Sequence, residues 1–382
     1  MRKGWEYKKL GEVLETTSGG TPSKSHKEYY EGGTIPWLRS GEVSKGDIYD
    51  AELYITEEGL KKSSAKLFPI DTVLIAMYGA TVGQVGILKS TMCTNQAICG
   101  ILPNKDFHPN FLKYVLLANK KNYLKQAIGG AQPNISQQVI KSTYIPIVKF
   151  SEQESVVSEL DKINELIRLK KEQLKDFDNL AQSIFYEMFG DPVENEKGWE
   201  VKTLDEVCSA KNGLVDPKEE PYASMYHVGP ANILSDTGEL INLKLAKDEN
   251  LISGKYLFNT GMILYSKIRP NLNKVTKATF EGICSADMYP LIPKDNIVSE
   301  YLLFILKTKK FLDYAISNSG RANIPKINRE ALMTYKTILP PLPLQHLFAH
   351  RIEQIEHQKA EVQKAITDLE TLLASRMQYW FE

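Results

Sequence analysis

The chain has 382 residues, 42% of them hydrophobic and 25% charged, with 47 Lys+Arg against 47 Asp+Glu and no net charge. That length predicts two or more domains, each burying its own core, and the composition is that of an ordinary globular protein. No run of about 18 apolar residues is present, which excludes a membrane-spanning helix, and Cys93, Cys99, Cys208 and Cys284 are too few and too scattered for a disulfide framework.

The opening Met1-Arg2-Lys3-Gly4-Trp5-Glu6 lacks the apolar core of a signal peptide, so a cytoplasmic location is expected. "GWEYKKLGEV" (4–13) then returns as "GWEVKTLDEV" (198–207), with seven identities in ten at a constant offset of 194. The repeat continues. "PIDTVLIAM" (69–77) and "NTGMILYSK" (259–267) are apolar, β-rich runs behind turn residues, and both predict buried strands. "FLKYVLL" (111–117) and "YLLFILK" (301–307) have helical spacing, followed by turns at Gly129-Gly130 and Ser319-Gly320. Proline stops follow at "YIPIV" (144–148) and "ILPPLPL" (338–344).

Beyond each stop the period changes. Val156, Leu160, Ile163, Ile167, Lys170, Leu174, Phe177, Ala181, Ile184 and Met188 alternate spacings of four and three. Phe348, Ile352, Ile355, Lys359, Val362, Ile366, Leu369, Leu373, Arg376 and Trp380 do the same at an offset of 192. A sustained 4-3 pattern is a coiled-coil seam, and each segment must bury it, most simply against the other. Either direction of pairing satisfies the pattern. Asp191-Pro192 predicts the stop between the first helix and the second copy. The expected organisation is a first globule at 1–150, a long helix at 151–190, a second globule at 195–342 and a long helix at 343–382.

Charge alternates with this plan: +6 over 1–150, −6 over 151–198, +2 over 199–342 and −2 over 343–382. Globules that lean positive can present local phosphate-binding faces although the whole chain is neutral. The copies differ most in their loops, "TTSGGTPSKSHKEYYEGGTIPWLRSGEV" (16–43) against "CSAKNGLVDPKEEPYASMYHVGPANIL" (208–234), and "YGATVGQVGIL" (78–88) against "KIRPNLNKVTK" (267–277). A shared scaffold with rewritten loops points to one task performed with two specificities. The loops carry residue types that read nucleic acid: Lys24, Lys27, Arg39, Ser40, Tyr78, Gln84, Lys89, Asn95 and Gln96 in the first copy. The second offers Lys211, Asn212, Tyr226, Lys267, Arg269, Asn271, Asn273, Lys274, Arg321 and Asn323. Arg and Lys suit guanine edges and phosphates, and Asn and Gln suit adenine.

Catalytic signatures are missing. "GATVGQVG" (79–86) lacks the lysine of a phosphate loop and reads as a strand turn, and His346 and His350 have no third ligand for a metal. Asp191, Glu200 and Lys202 imitate a nuclease spacing, but Glu200 and Lys202 merely repeat Glu6 and Lys8. On these observations alone a DNA reader, a stand-alone regulator and a coiled-coil scaffold all stand.

Three stretches are more specific: "SGGTPSKSHKEYYEGGTIPWLRSGEV" (18–43), "FYEMFGDPVENEKGWEVKTLDEV" (185–207) and "LPPLPLQHLFAHRIEQI" (339–355). Together they resemble the specificity subunit of type I restriction–modification systems over essentially the whole chain, although the second globule lacks Gly-Gly-Thr-Pro. The resemblance implies an α+β fold of two tandem mixed α/β target recognition domains, separated by two long helices packed as an antiparallel coiled coil with pseudo-twofold symmetry. It implies that each domain reads one half of a bipartite, asymmetric double-stranded DNA target. The helices would set the spacer and dock two methyltransferase (modification) subunits, with restriction subunits joining them. The chain itself would catalyse nothing; S-adenosylmethionine, Mg2+ and ATP would serve its partners.

Overall fold

The computed structural model describes residues 2, 4–127, 133–320 and 323–382. The chain forms two compact units, Met1–Lys171 with Lys364–Glu382, and Glu172–Gln363.

In the first unit, β1 (Glu6–Lys9), β2 (Thr16–Ser18), β3 (Ile35–Leu38), β4 (Asp47–Ile48), β5 (Leu53–Ile55) and β6 (Leu67–Phe68) come first. They are followed by β7 (Val73–Ala76), β8 (Val85–Leu88), β9 (Met92–Thr94) and β10 (Ile98–Ile101). One sheet has the order β2-β10-β7-β8-β4 and the other β5-β3-β9-β6, with β3 and β9 parallel. "VLIA" of β7 is buried at every position, as a fully apolar strand between covering layers must be. Helix α1 (Pro109–Ala118) begins with Pro at its first position, where the missing N–H is harmless, and buries Phe111, Leu112, Tyr114, Val115 and Leu116. Strand β11 (Tyr144–Ile147) returns antiparallel to β1 and leads into α2 (Phe150–Phe189).

The second unit repeats this order. Its strands are β12 (Glu200–Thr203), β13 (Cys208–Ala210), β14 (Tyr226–Val228), β15 (Lys244–Leu245), β16 (Tyr256–Phe258), β17 (Ile263–Ser266), β18 (Val275–Lys277), β19 (Gly282–Cys284) and β20 (Met288–Pro293). They form sheets β13-β20-β17-β18 and β15-β14-β19-β16, and the parallel pair recurs between β14 and β19. Helix α3 (Ser299–Lys307), β21 (Lys336–Leu339) antiparallel to β12, and α4 (Leu342–Phe381) complete it. Among the described residues the sheet β13-β20-β17-β18 has no counterpart of β4.

Each long helix has 40 residues, about 60 Å at 1.5 Å per residue. Within the first unit, Arg376 Nη2 donates to Glu159 at 3.1 Å and Lys171 Nζ to Glu370 at 2.8 Å. Within the second, Lys359 Nζ donates to Asp178 at 2.9 Å and the Phe185 and Phe348 rings lie 5.8 Å apart. In both units the number on one helix falls as that on the other rises, so the pairing is antiparallel. Seam residues Val156, Leu160, Ile163, Ile167, Phe348, Ile355, Val362 and Ile366 are buried, and Leu174, Phe177, Ile184, Ile352, Leu369 and Leu373 are half-buried. Lys359 and Arg376, the two seam positions of α4 that are not apolar, are the ones that make ion pairs. The first helix stops one residue before Asp191-Pro192: Gly190, at φ +75°, takes the left-handed position and its N–H bonds Tyr186 O at 2.8 Å.

The repeated glutamines at the start of the long helices act as clamps. Gln153, fully buried, accepts from His108 N–H at 2.8 Å and donates to Asp106 O and Val148 O at 2.8 and 3.1 Å. Gln345, equally buried, accepts from Val298 N–H at 2.9 Å and donates to Asn296 O and Pro340 O at 3.2 and 2.7 Å. Each ties a long helix to the chain entering α1 or α3 and to the strand end before it. The repeated tryptophans also lock their surroundings. Trp199 Nε1 donates to Phe189 O at 2.8 Å, and Trp5 Nε1 donates to Glu152 at 2.9 Å while stacking on Trp380 at 5.9 Å.

All four cysteines are free and buried; burial pushes the Cys93 thiol up to about 11 and the Cys99, Cys208 and Cys284 thiols to about 12. The nuclease-like trio is separate in role. Lys202 pairs with Glu200 at 2.8 Å and Glu206 at 3.2 Å, while Asp191 accepts from Val193 N–H at 2.6 Å. His346 and His350 are exposed, and among the described residues no group of His, Cys, Asp and Glu could hold a metal. Gly129-Gly130 lies outside the described residues.

Candidate nucleic-acid interface

In each unit the ends of several strands meet at one edge, and the loops leaving them carry most of the candidate residues. In the first unit these are the C-terminal ends of β2, β3, β7 and β9 and the start of β10. Asn95 N–H bonds Leu38 O at 3.0 Å, Met77 N–H bonds Ala97 O at 2.8 Å, and Ile135 N–H bonds Met77 O at 2.9 Å. Gly79 N–H bonds Pro133 O at 2.8 Å. In the second unit the same four bonds recur, at an offset of 190 or 192. Ser285 N–H bonds Val228 O at 2.9 Å, Lys267 N–H bonds Asp287 O at 3.0 Å, Ile327 N–H bonds Lys267 O at 3.0 Å, and Arg269 N–H bonds Pro325 O at 2.7 Å. The loops that diverge in sequence therefore share one backbone frame. At these four anchor points the backbone is held alike, and the side chains carried on it differ.

The first unit brings Ser40, Tyr78, Gln84, Asn95 and Gln96 to this edge. Tyr78 and Gln96 are exposed, and Ser40, Gln84 and Asn95 are half-buried. Gln96 is hydrogen-bonded to Thr21 of the Gly-Gly-Thr-Pro stretch. Gly19 and Gly20 have a packing role there: an added Cβ would lie 2.1 Å from Thr94 Oγ1 at Gly19 and 2.2 Å from Ser64 C at Gly20. Trp37 Nε1 closes on Gly20 O at 2.9 Å. Lys24 and Lys27 are exposed on the loop that continues from this stretch. Arg39 is committed elsewhere. Its Nη2 donates to Glu52 at 2.6 Å, and this bond holds the Glu52 carboxyl below the usual carboxylate range. Lys89 lies at the far end of β8, paired with Asp71 at 3.5 Å, away from the other candidates.

The second unit brings Lys211, Asn212, Lys267, Arg269, Asn271, Asn273, Lys274 and Asn323 to its edge. Several are spent internally. Asn212 Oδ1 accepts from Arg329, whose Nη2 also donates to Lys211 O at 2.9 Å. Lys267 donates to Ala286 O and lies 3.8 Å from Asp287; Lys274 donates to Pro230 O at 2.7 Å; buried Asn273 donates to Asp236 at 3.3 Å. Arg269, Asn271 and Asn323 are exposed. Tyr226 stands at the opposite end of β14, edge-on to Phe280 at 5.8 Å. Arg321 lies outside the described residues.

Sequence reading missed Arg329, which fixes Asn212, and His227. His227 lies on β14 beside Gly229 and bonds Glu249 at 2.7 Å, with Nε2 buried and unpartnered among the described residues. Burial outweighs the Glu249 carboxylate and holds the imidazole below the ordinary histidine pKa. Arg329 lies in no periodic run and outside the diverged loops, and His227 sits in the diverged 208–234 stretch as an unremarkable strand residue. Among the described residues nothing at either edge groups a nucleophile with a base; the chemistry on offer is hydrogen bonding and charge. Among the described residues no helix is long and apolar enough to cross a membrane.

A family model described as the type I restriction modification DNA specificity domain matches residues 2–176 and again residues 196–371. The chain is 26% identical over 399 residues to the type I restriction enzyme MjaIX specificity subunit of Methanocaldococcus jannaschii, covering 97% of this chain and 91% of that one. It is 36% identical over 170 residues to the EcoDI specificity subunit of Escherichia coli, 44% of this chain and 37% of the other. The fold is similar to that of a chain from a type I R-M system solved in work on complex assembly and conformational transition, with TM-score 0.62, 20% identity, and 100% of this chain and 98% of that one covered. It is also similar to a crystal structure of the S subunit of a type I system from M. genitalium, with TM-score 0.57, 14% identity, and 99% and 96% covered.

Proposed function

The chain belongs to the type I restriction–modification DNA specificity family, with two tandem target recognition domains, and on that premise we propose that each unit reads one half of a split, asymmetric DNA target through the edge described above. The observation that carries this reading is the duplicated backbone frame with different side chains on it. One frame presents amides and a tyrosine, Tyr78, Gln84, Asn95 and Gln96; the other presents Arg269, Asn271 and Asn323. Unlike a true twofold dimer, which binds a palindrome, such a chain meets two unlike half-sites. Joining two weak half-site contacts in one chain makes a strong one, provided the span between them matches.

The antiparallel helices supply that span as a stiff spacer. Their solvent faces expose Leu166, Leu169, Leu180, Leu347 and Leu372, and these are where methyltransferase subunits would dock. Restriction subunits would join through them. The chain contributes no catalytic group; S-adenosylmethionine, Mg2+ and ATP would be handled by the partners.

The experiment is a long-read map of N6-methyladenine in cells expressing this chain with its neighbouring methyltransferase, against cells lacking the chain. A split, asymmetric motif that vanishes with the chain is the expected result. An identical methylome in both would refute it. A coiled-coil scaffold is separated by binding: a phosphate-contacting protein loses DNA affinity steeply with log salt, and a scaffold shows no such slope.

A further inference from the structure

Arg269 is unusual on three counts. Among the described residues, positive φ outside glycine occurs at Asp71, Asn195, Asp236, Asn242, Asn273 and Arg269, with Arg269 at φ +48°. Asn and Asp tolerate the left-handed region because their short polar side chains bond locally; arginine has no such compensation. The equivalent position in the first unit is Gly79, at φ +71°, and the next left-handed position, Asn273, corresponds to Gly83 at φ +76°. The first unit thus builds this turn from the residue that suits it, and the second builds the same turn with an arginine. The proline strap is the same in both, Gly79 N–H to Pro133 O and Arg269 N–H to Pro325 O.

The guanidinium is also uncommitted. Lys267, Lys274 and Arg329 on the same edge are bound to protein carbonyls. Arg269 is exposed, and among the described residues its side chain holds no hydrogen bond or ion pair. A left-handed arginine whose side chain takes no hydrogen bond or ion pair among the described residues is not kept for folding. Strained residues held in place by their surroundings concentrate where a ligand needs a side chain in one orientation.

We propose that Arg269 is the specificity-determining residue of the second unit and reads a guanine in the DNA major groove. The inference rests on the DNA-specificity reading above and deepens it. Arginine's planar fork matches guanine O6 and N7 bidentately, a geometry that rewards a fixed Cα direction. A phosphate needs only a positive charge within reach, which a lysine on a relaxed turn supplies. The first unit has Gly79 at this position and reads its half-site without this contact.

The test compares wild type, Arg269→Gly and Arg269→Lys in the full chain with its methyltransferase. The readouts are the methylation motif and binding to duplexes carrying each base substitution in it. Glycine is what the sister turn uses, so R269G keeps the fold, and its melting temperature should be equal to wild type or higher. One G·C position in one half-site should become degenerate, with discrimination there falling about tenfold or more, while the other half-site is unchanged. R269K should keep affinity within a few-fold yet leave that position degenerate. A uniform loss over all positions with a salt slope shallower by about one would identify a phosphate contact and overturn the assignment. An unaltered motif in R269G would overturn it too. Absence of any split motif with the wild-type chain would refute the specificity role itself, and this assignment with it.

Discussion

Gly20→Ala should damage the first unit's reading edge by steric means alone. Gly20 is buried, and its added Cβ would stand 2.2 Å from Ser64 C and 2.3 Å from Ser64 O. Backbone is the obstacle, so no side-chain rotation relieves it, and the two segments must part by more than an ångström. Two hydrogen bonds are lost or stretched in doing so, Gly20 N–H to Thr94 O and Trp37 Nε1 to Gly20 O, both 2.9 Å. At about 1 kcal/mol for each bond and about 1–3 kcal/mol for overpacking, the cost is about 3–5 kcal/mol. For a unit of this size that lowers the melting temperature by at least about 6 °C. Gly32→Ala is the control: its φ is +73° with nothing within 4 Å, so only the left-handed penalty of about 1–2 kcal/mol applies. Differential scanning calorimetry of the two variants, with half-site binding, checks the argument. Recognition by the first unit should fail in G20A and survive in G32A, with the second half-site intact in both. A melting temperature for G20A equal to that of G32A would refute the claim that close packing against Ser64 is why glycine stands there.

Three further outcomes are expected. Gln345→Leu leaves Val298 N–H, Asn296 O and Pro340 O without their partner; at about 1–3 kcal/mol per buried unsatisfied group, the second unit should lose about 3 kcal/mol or more, read as a shift of the urea midpoint. His227 is held below the ordinary histidine pKa, so the unfolded chain binds its proton more tightly than the folded one; its contribution is complete above about pH 6.5 and is lost as pH falls below that value. His227→Gln should accordingly lose less stability than wild type between about pH 7 and 5, and parallel pH profiles of the two proteins would count against the buried imidazole. Inserting a heptad after Leu174 and another after Val362 keeps the antiparallel seam in register; it adds about 10 Å, close to three base pairs, and the preferred spacer in the methylation motif should lengthen by that amount while both half-sites stay the same. An unchanged spacer would refute the helices' role in measuring it.

Much of the architecture was legible in the amino-acid order because it rests on periodicity. "GWE" at 4–6 and 198–200 revealed the duplication, and the alternating four and three from Val156 and from Phe348 revealed two helices obliged to bury a stripe. A period survives whatever surrounds it. The direction of that pairing is not a periodic property; it is decided by which residues meet, Glu159 with Arg376 and Asp178 with Lys359. Composition also marked the loops that differ between the copies, but it could not rank the residues within them. Arg39 and Arg269 look alike as letters. Folding brings Glu52 to the first and leaves the second exposed on a left-handed turn, without an ion pair among the described residues. Gly-Gly-Thr-Pro stands in a loop that differs between the copies, and the space around its glycines is taken by Thr94 and Ser64, residues distant in sequence. Local pattern determined the elements and their repetition. Long-range packing and ion pairing determined which side chains remain available to a ligand.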